Sequence, residues 1–302
     1  MTAHLKIKVM QEKERIRMKN VLLAGVTGYL GSYIAKELQE RDFTIRAIAR
    51  NTKRLKEKNI EVNEIVKAEL TQPDSIKGCC NNIDVVISTI GITRQKDGLT
   101  YMDVDYQVNM YLLREAQESG VKKFIYVSVL NGENLRHLKI CDAKEMFVEQ
   151  LKKSGMDYCI IRPNGFFSDM TEFYSMAKKG RVYLFGNGEL KANPIHGEDL
   201  AAVCVDAMEN ADQEIKAGGP ETHTYNEIAE IAFEVIGIKP KITHIPNWVR
   251  AAILKMVRIF TGSKVYGPIE FFLTVMAIDM LAPEYGNYRL KGYFNSLRDM
   301  NA

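Results

Sequence analysis

The sequence predicts an α/β protein: a doubly wound parallel sheet followed by a small C-terminal cap. Three observations carry that prediction. Short runs of β-branched residues recur without polar alternation, helical apolar periods separate them, and a glycine-rich turn joins the first run to the first helical segment. Runs that are apolar on both faces belong to strands covered on both sides, and strand, helix, strand repeated along a chain closes as a parallel sheet.

From Asn20 the elements follow in order. VLLAG leads into the helical IAKEL, TIRAIA into a basic turn, EIVKAEL into DSIKGCC, and DVVISTIG into VDYQVNMYLLREAQESG. KFIYVSVL then precedes CDAKEMFVEQLKKSG, and DYCIIRP makes a sixth strand that Pro163 ends. Gly120 and Gly155 each close a helical period just before the next strand. Beyond Pro163 the rhythm loosens into a turn at GNGEL, a helix from Glu198, a strand near IKAGG, a helix from Tyr225 and two apolar helical stretches after Asn247. The expected organisation is a charged, disordered extension over residues 1–18, a sheet domain over 19–163, and residues 164–302 partly completing the sheet and partly building the cap.

With 302 residues there is enough chain for one large α/β unit, and 41 basic against 38 acidic side chains leave a formal charge of +3. That balance, with no long basic run, excludes a nucleic-acid footprint and favours a small-molecule partner. Cys79, Cys80, Cys141, Cys159 and Cys204 show no C-x-x-C spacing, which fits reduced thiols in a cytoplasmic setting. The stretch PIEFFLTVMAIDMLA (268–282) is too short to span a bilayer and carries Glu270 and Asp279, so a buried or interfacial helix is expected and no transmembrane segment. For NWVRAAILKMVRIF (247–260) core packing is the default, and its broad apolar face with Arg250, Lys255 and Arg258 also suits a membrane surface or the cover of a lipophilic substrate. Oligomerisation is compatible with the composition.

The sequence VLLAGVTGYLGSYIAKEL gives three glycines distinct tasks. Gly25, Gly28 and Gly31 serve a tight turn, close backbone approach to a pyrophosphate, and close packing of helix on strand. The helix start then offers free N–H groups and a positive dipole end to phosphates. Because the turn follows a strand, opens a helix and begins a βαβ series, it predicts dinucleotide binding on a Rossmann sheet. At the end of the second strand stands Arg50, with Lys53 and Arg54 behind it, where an NAD enzyme places a carboxylate on the ribose; a 2'-phosphate is attracted there, so NADP is favoured over NAD.

These features resemble the short-chain dehydrogenase/reductase superfamily in its atypical, NmrA-like branch, whose glycine spacing matches GVTGYLG. The likeness runs from about Met18 to about Asp206 and includes Glu69-Leu70 after the third strand, STIG (88–91), VSV around Ser128, IIRPNGFF (160–167) and NPIHGEDLA (193–201). The resemblance implies that Gly25, Thr27, Gly28, Tyr29, Leu30 and Gly31 meet the pyrophosphate. It places Glu69 and Leu70 near the adenine, Thr89 and Gly91 at the nicotinamide ribose, and Pro163 and Asn164 at the ligand end of the sheet.

In the family's catalytic arrangement a serine and a tyrosine polarise a carbonyl while a lysine grips the ribose. Ser128 and Lys144 occupy the serine and lysine positions, but the tyrosine position holds Ile140, which has no proton to give. Three explanations follow: Lys144 acts alone as acid/base with a depressed pKa, another tyrosine (Tyr101, Tyr106 or Tyr174) substitutes, or the protein holds its cofactor without turning it over. His196, three residues before Asp199, reads as part of a link docking the cap, and His137, His223 and His244 form no metal spacing. The expected function is a cytoplasmic NADPH-dependent reductase or isomerase of a small apolar organic substrate; the alternative is a non-catalytic NADPH-binding sensor or accessory factor.

Overall fold

A computed structural model describes residues 19–92 and 98–300; the expected N-terminal extension, residues 1–18, lies outside the described residues. The apolar runs form one parallel sheet from strands β1 (Asn20–Ala24), β2 (Thr44–Ile48), β3 (Glu64–Val66), β4 (Val85–Ser88), β5 (Lys123–Val127), β6 (Asp157–Pro163) and a late strand, Glu214–Ala217, in the order β3, β2, β1, β4, β5, β6 and then the late strand. Strand order reverses between β1 and β4, so a crevice opens at their carboxyl ends, the place where sheets of this topology take ligands.

Apolar side chains on both faces explain why helices cover both. On one face Val21, Leu23, Ile87 and Ile161 pack with Ile34 and Leu38 of α1 (Tyr29–Glu40) and with Leu200 and Cys204 of a later helix, Gly197–Asp206. On the other, Leu22, Val86, Phe124 and Ile160 meet α3 (Asn109–Glu118) and α4 (Lys139–Lys153); the short α2 (Lys53–Glu57) lies between β2 and β3. A third cluster builds the cap from α5 (Phe167–Lys178), the helix Tyr225–Ile236 and the last helix Leu290–Asp299. The residues after Pro163 thus supply both a sheet strand and this third cluster.

Three local expectations change. DSIKGCC is a single 3-10 turn, Pro73–Ile76, because Gly78 at φ +79° breaks any helical path. The apolar stretch 268–282 is helical only to Val275 within the helix Ser263–Val275; beyond it the chain is drawn off, since Asp279 accepts from Lys191 N at 2.8 Å and Met280 N donates to Lys191 O. The helix Asn247–Phe260, expected in the core, buries none of its residues. The five cysteines are all buried and free, as expected of reduced thiols.

Asp84, at the start of β4, ties β1 in place: its carboxylate accepts from the backbone N–H groups of Lys19 (3.0 Å) and Asn20 (3.1 Å) and pairs with Lys122 at 2.8 Å. Burial alone would raise its pKa, but Lys122 and the two amides outweigh burial and hold it below the ordinary carboxylate value. The resulting stability is present above the unfolded value of about 3.9 and is lost as pH falls through the depressed folded value. Asp84→Asn is expected to cost about 1–2 kcal/mol at neutral pH, with the difference from wild type vanishing in acid, as urea unfolding across pH will report.

Candidate cofactor and substrate site

The glycine turn is built as its sequence demands. Gly25 adopts φ +95°, and a side chain there would strike Thr89, whose hydroxyl donates to Ala24 O at 3.2 Å. At Gly31 a Cβ would lie 2.1 Å from the Gly25 carbonyl oxygen, so only glycine lets α1 approach the end of β1 this closely. The helix begins at Gly28 with no side-chain cap and no acidic residue in its first turn, leaving its N–H groups and dipole end directed at the crevice. These are the features a pyrophosphate needs, and the cradle fits one.

Not every side chain of the turn is offered to a ligand. The Tyr29 hydroxyl accepts from Gly197 N at 3.2 Å and Leu30 is buried in the sheet core, so both can present only main chain. Thr27 has a neighbour the sequence did not announce: Lys58, following α2, donates its ammonium to the Thr27 carbonyl at 2.9 Å. One strand over, Arg50 lies 3.4 Å from Glu69, which also accepts from the Thr71 hydroxyl; Leu70 packs at the edge of the core beside them. Two residues expected at the adenosine end therefore stand together.

At the carboxyl end of β4 the second centre forms. Lys144, on α4, places its ammonium 3.0 Å from Asp105, and a Cβ at Gly91 would meet both groups, at 2.8 Å and 2.6 Å. Asp105 is fully buried because Met102–Val108 winds as a π-helix ahead of α3, a register that also buries Asn109, whose amide donates to the Asp105 carbonyl at 2.9 Å. The Lys144 ammonium lies 5.4 Å from the centre of the ring of Tyr126, on β5, whose buried hydroxyl has no hydrogen-bond partner among the described residues. Burial works against a charged Lys144, but Tyr126 and Asp105 outweigh it and hold the ammonium above the ordinary lysine value. Burial likewise pushes the Tyr126 phenol up to about 12, and the Asp105 carboxyl up against the pull of Lys144.

The remaining expected residues are engaged elsewhere. The Ser128 hydroxyl donates to Glu145 at 3.2 Å, and Glu145 is gripped by Arg162 of β6 through two hydrogen bonds of 2.6 and 2.9 Å. Asn164, after Pro163, donates to Met280 O at 2.6 Å and to Asn193 Oδ1 at 2.7 Å, which spends its amide on holding the cap segment. Ile140 lies in an apolar cluster with Tyr101, Leu135 and Leu138, roofed by Phe271 and Val275. Of the three tyrosines considered as substitutes, Tyr101 belongs to that cluster, Tyr106 packs against it, and Tyr174 sits in the cap. Tyr126, whose ring lies beside the Lys144 ammonium, was hidden in sequence by its place in an uninterrupted strand. Asp105 was hidden by a helical period that the π-turn shifts, and no metal-holding cluster occurs among the described residues.

His196 caps the helix Gly197–Asp206 by accepting from Glu198 N at 3.3 Å and stacks on Tyr288 at 4.3 Å. Asp199 accepts from the backbone of Asn287 and Tyr288 at 3.1 and 3.0 Å. The segment docks the end of the chain against the sheet domain.

A profile of the NAD(P)H-binding family matches residues 25–211, beginning at the first turn glycine. The chain belongs to the NAD(P)H-binding family. Among curated proteins it is 27% identical over 299 residues to the divinyl chlorophyllide a 8-vinyl-reductase, chloroplastic, of Arabidopsis thaliana, covering 89% of this chain and 72% of that one. It is 26% identical over 250 residues to the photosystem II assembly factor Ycf39 of a Synechocystis strain, covering 80% and 74%. Among solved structures, an NADPH-dependent quinone oxidoreductase of Escherichia coli complexed with NADPH superposes with a TM-score of 0.68 at 16% identity, covering 92% of this chain and 99% of that one. A protein solved with NADP+ and (+)pinoresinol gives 0.74 at 14%, covering 92% and 98%. At these identities the solved structures speak for the fold alone, and the doubly wound parallel sheet expected from the sequence is borne out.

Removing one partner of a buried ion pair leaves the other charge uncompensated. Asp105→Asn is expected to destabilise the protein by about 3 kcal/mol, and the double variant Asp105→Asn/Lys144→Met to recover most of that loss. Chemical denaturation of the three proteins side by side checks it; additive losses in the double variant would refute the pairing.

Proposed function

We propose that this protein is an NADPH-dependent reductase or isomerase acting on a small apolar organic substrate. The observation that carries the reading is the Lys144 ammonium, fixed between Asp105 and Tyr126 beside Gly91, at the same end of the sheet as the glycine turn. In this reading the backbone from Gly25 to Gly31 would hold the pyrophosphate, Arg50 the 2'-phosphate, Glu69 and Leu70 the adenine side, and Thr89, Gly91 and Lys144 the nicotinamide ribose. Pro163 would border the ring from the end of β6. When bound, the cofactor supplies a hydride.

The side chains of this chain then have defined tasks. An ammonium kept protonated by a buried carboxylate cannot accept a proton, so Lys144 serves as a fixed cation that orients a ribose hydroxyl. Arg50 must part from Glu69 to reach a phosphoryl group, which costs little because the pair is long and well exposed. The apolar cluster around Ile140 and Tyr101 excludes water beside the reacting face and suits a substrate with little polarity. The likeness to a divinyl chlorophyllide reductase supports a reductase, and the buried free cysteines fit a reducing setting.

A second reading, a non-catalytic NADPH-binding accessory protein, is favoured by the isoleucine at the tyrosine position and by the likeness to a photosystem II assembly factor. Two measurements separate them. In calorimetric titration NADPH is expected to bind more tightly than NADH, and Arg50→Glu to weaken NADPH by roughly tenfold or more while sparing NADH. With bound NADPH, oxidation is expected on some member of a carbonyl, enone and quinone panel, and Lys144→Ala is expected to lower that turnover by about a hundredfold. Tight NADPH binding with no oxidation by any acceptor would favour the accessory role.

A further inference from the structure

The helix Asn247–Phe260 is apolar on more than one side, and its solvent-facing side carries four large apolar residues among Lys255 and Arg258. Trp248, Met256, Ile259 and Phe260 are 72%, 59%, 66% and 77% exposed, and with Ala252 they fall at three- and four-residue steps along one stripe. The opposite side, with Val249, Ile253 and Val257, is partly buried, and from it Arg250 donates to Leu273 O at 3.1 Å in the neighbouring helix Ser263–Val275. Scattered exposed apolar residues are ordinary, but a continuous stripe of four large ones is a contact surface.

Charge and size say what covers it. From Val235 to Ile269 the chain contains no Asp or Glu, while Lys239, Lys241, Arg250, Lys255 and Arg258 lie within it. The first acid beyond, Glu270, is taken by Arg258. A helix of 14 residues is about 21 Å long, so a stripe one side chain wide offers on the order of 200 Å², far below the roughly 800 Å² per partner that a stable dimer needs. A short amphipathic helix with cations and no anions, tryptophan at one end and phenylalanine at the other, is instead suited to the interfacial layer of a bilayer. No helix among the described residues is long and apolar enough to cross a membrane, so a bilayer contact of this helix would be one along the surface.

We propose that this helix docks the protein on an anionic lipid surface, with Trp248, Met256, Ile259 and Phe260 entering the headgroup boundary and Lys255 among the cations facing the phosphates. The proposal stands apart from the reaction proposed above, since it needs neither cofactor nor turnover.

Trp248 is the one tryptophan of the chain and reports on its own surroundings. With phosphatidylcholine vesicles containing about a third phosphatidylglycerol, its emission is expected to shift to the blue and the protein to co-sediment, both effects weakening as salt is raised. Ile259→Glu/Phe260→Glu is expected to lose roughly tenfold or more of this partitioning while keeping wild-type thermal unfolding. Unchanged Trp248 emission and no co-sedimentation with the anionic vesicles would overturn the proposal. So would a blue shift that follows protein concentration without lipid and coincides with a dimer mass in sedimentation velocity, which would make the occupant a second copy.

Discussion

The close approach of α1 to the end of β1 is the constraint on which the rest of the structure depends. Two glycines permit it, since Gly31 has no side chain to strike the Gly25 carbonyl and Gly25 takes a backbone angle few other residues hold. That approach brings the positive end of a helix to the crevice between β1 and β4. It also presents Tyr29 and Tyr33 to the helix Gly197–Asp206, where Tyr29 meets Gly197 and Tyr33 meets His196 edge-on at 5.2 Å. The contact that shapes the phosphate cradle is thus the first link in the chain that docks the cap, through His196, Asp199 and Tyr288.

A second layer of order comes from two ion pairs rooted in adjacent residues of α4. Lys144 reaches Asp105 on the crevice side, while Glu145 reaches Arg162 of β6, with the Ser128 hydroxyl joining it. Buried pairs of this kind contribute little net stability compared with apolar packing, but each fixes one geometry, because any other leaves a charge without a partner. Arg162 further meets Glu214 of the late strand at 3.1 Å, so α4, β6 and the sheet edge are held by one guanidinium.

The sheet was legible because its strands are apolar on both faces and its helices keep their period, and the glycine turn because each glycine has a steric reason visible in the spacing. The lysine was legible by resemblance. What stayed hidden depends on small backbone departures: a π-turn moves Asp105 inward, and a strand written as continuous apolar residues conceals that one of them, Tyr126, carries a polar tip. The Arg162–Glu145 pair left a trace, an arginine alone in the apolar run CIIRP, that pattern reading passed over. The helix Asn247–Phe260 was read by its period as core, although period alone cannot say whether the apolar side turns inward.

The pair behind α4 bears on where its neighbour in sequence is held. A helix tied to β6 through Glu145 and Arg162 has one favoured rotation about its axis, and the ammonium of Lys144 takes its place from that anchoring. On its other side the Ile140 cluster meets Phe271 and Val275 of the helix Ser263–Val275 through apolar contact alone, and Pro268 interrupts the backbone hydrogen bonds of that helix. Charge pins one flank of this cluster, and packing alone holds the other.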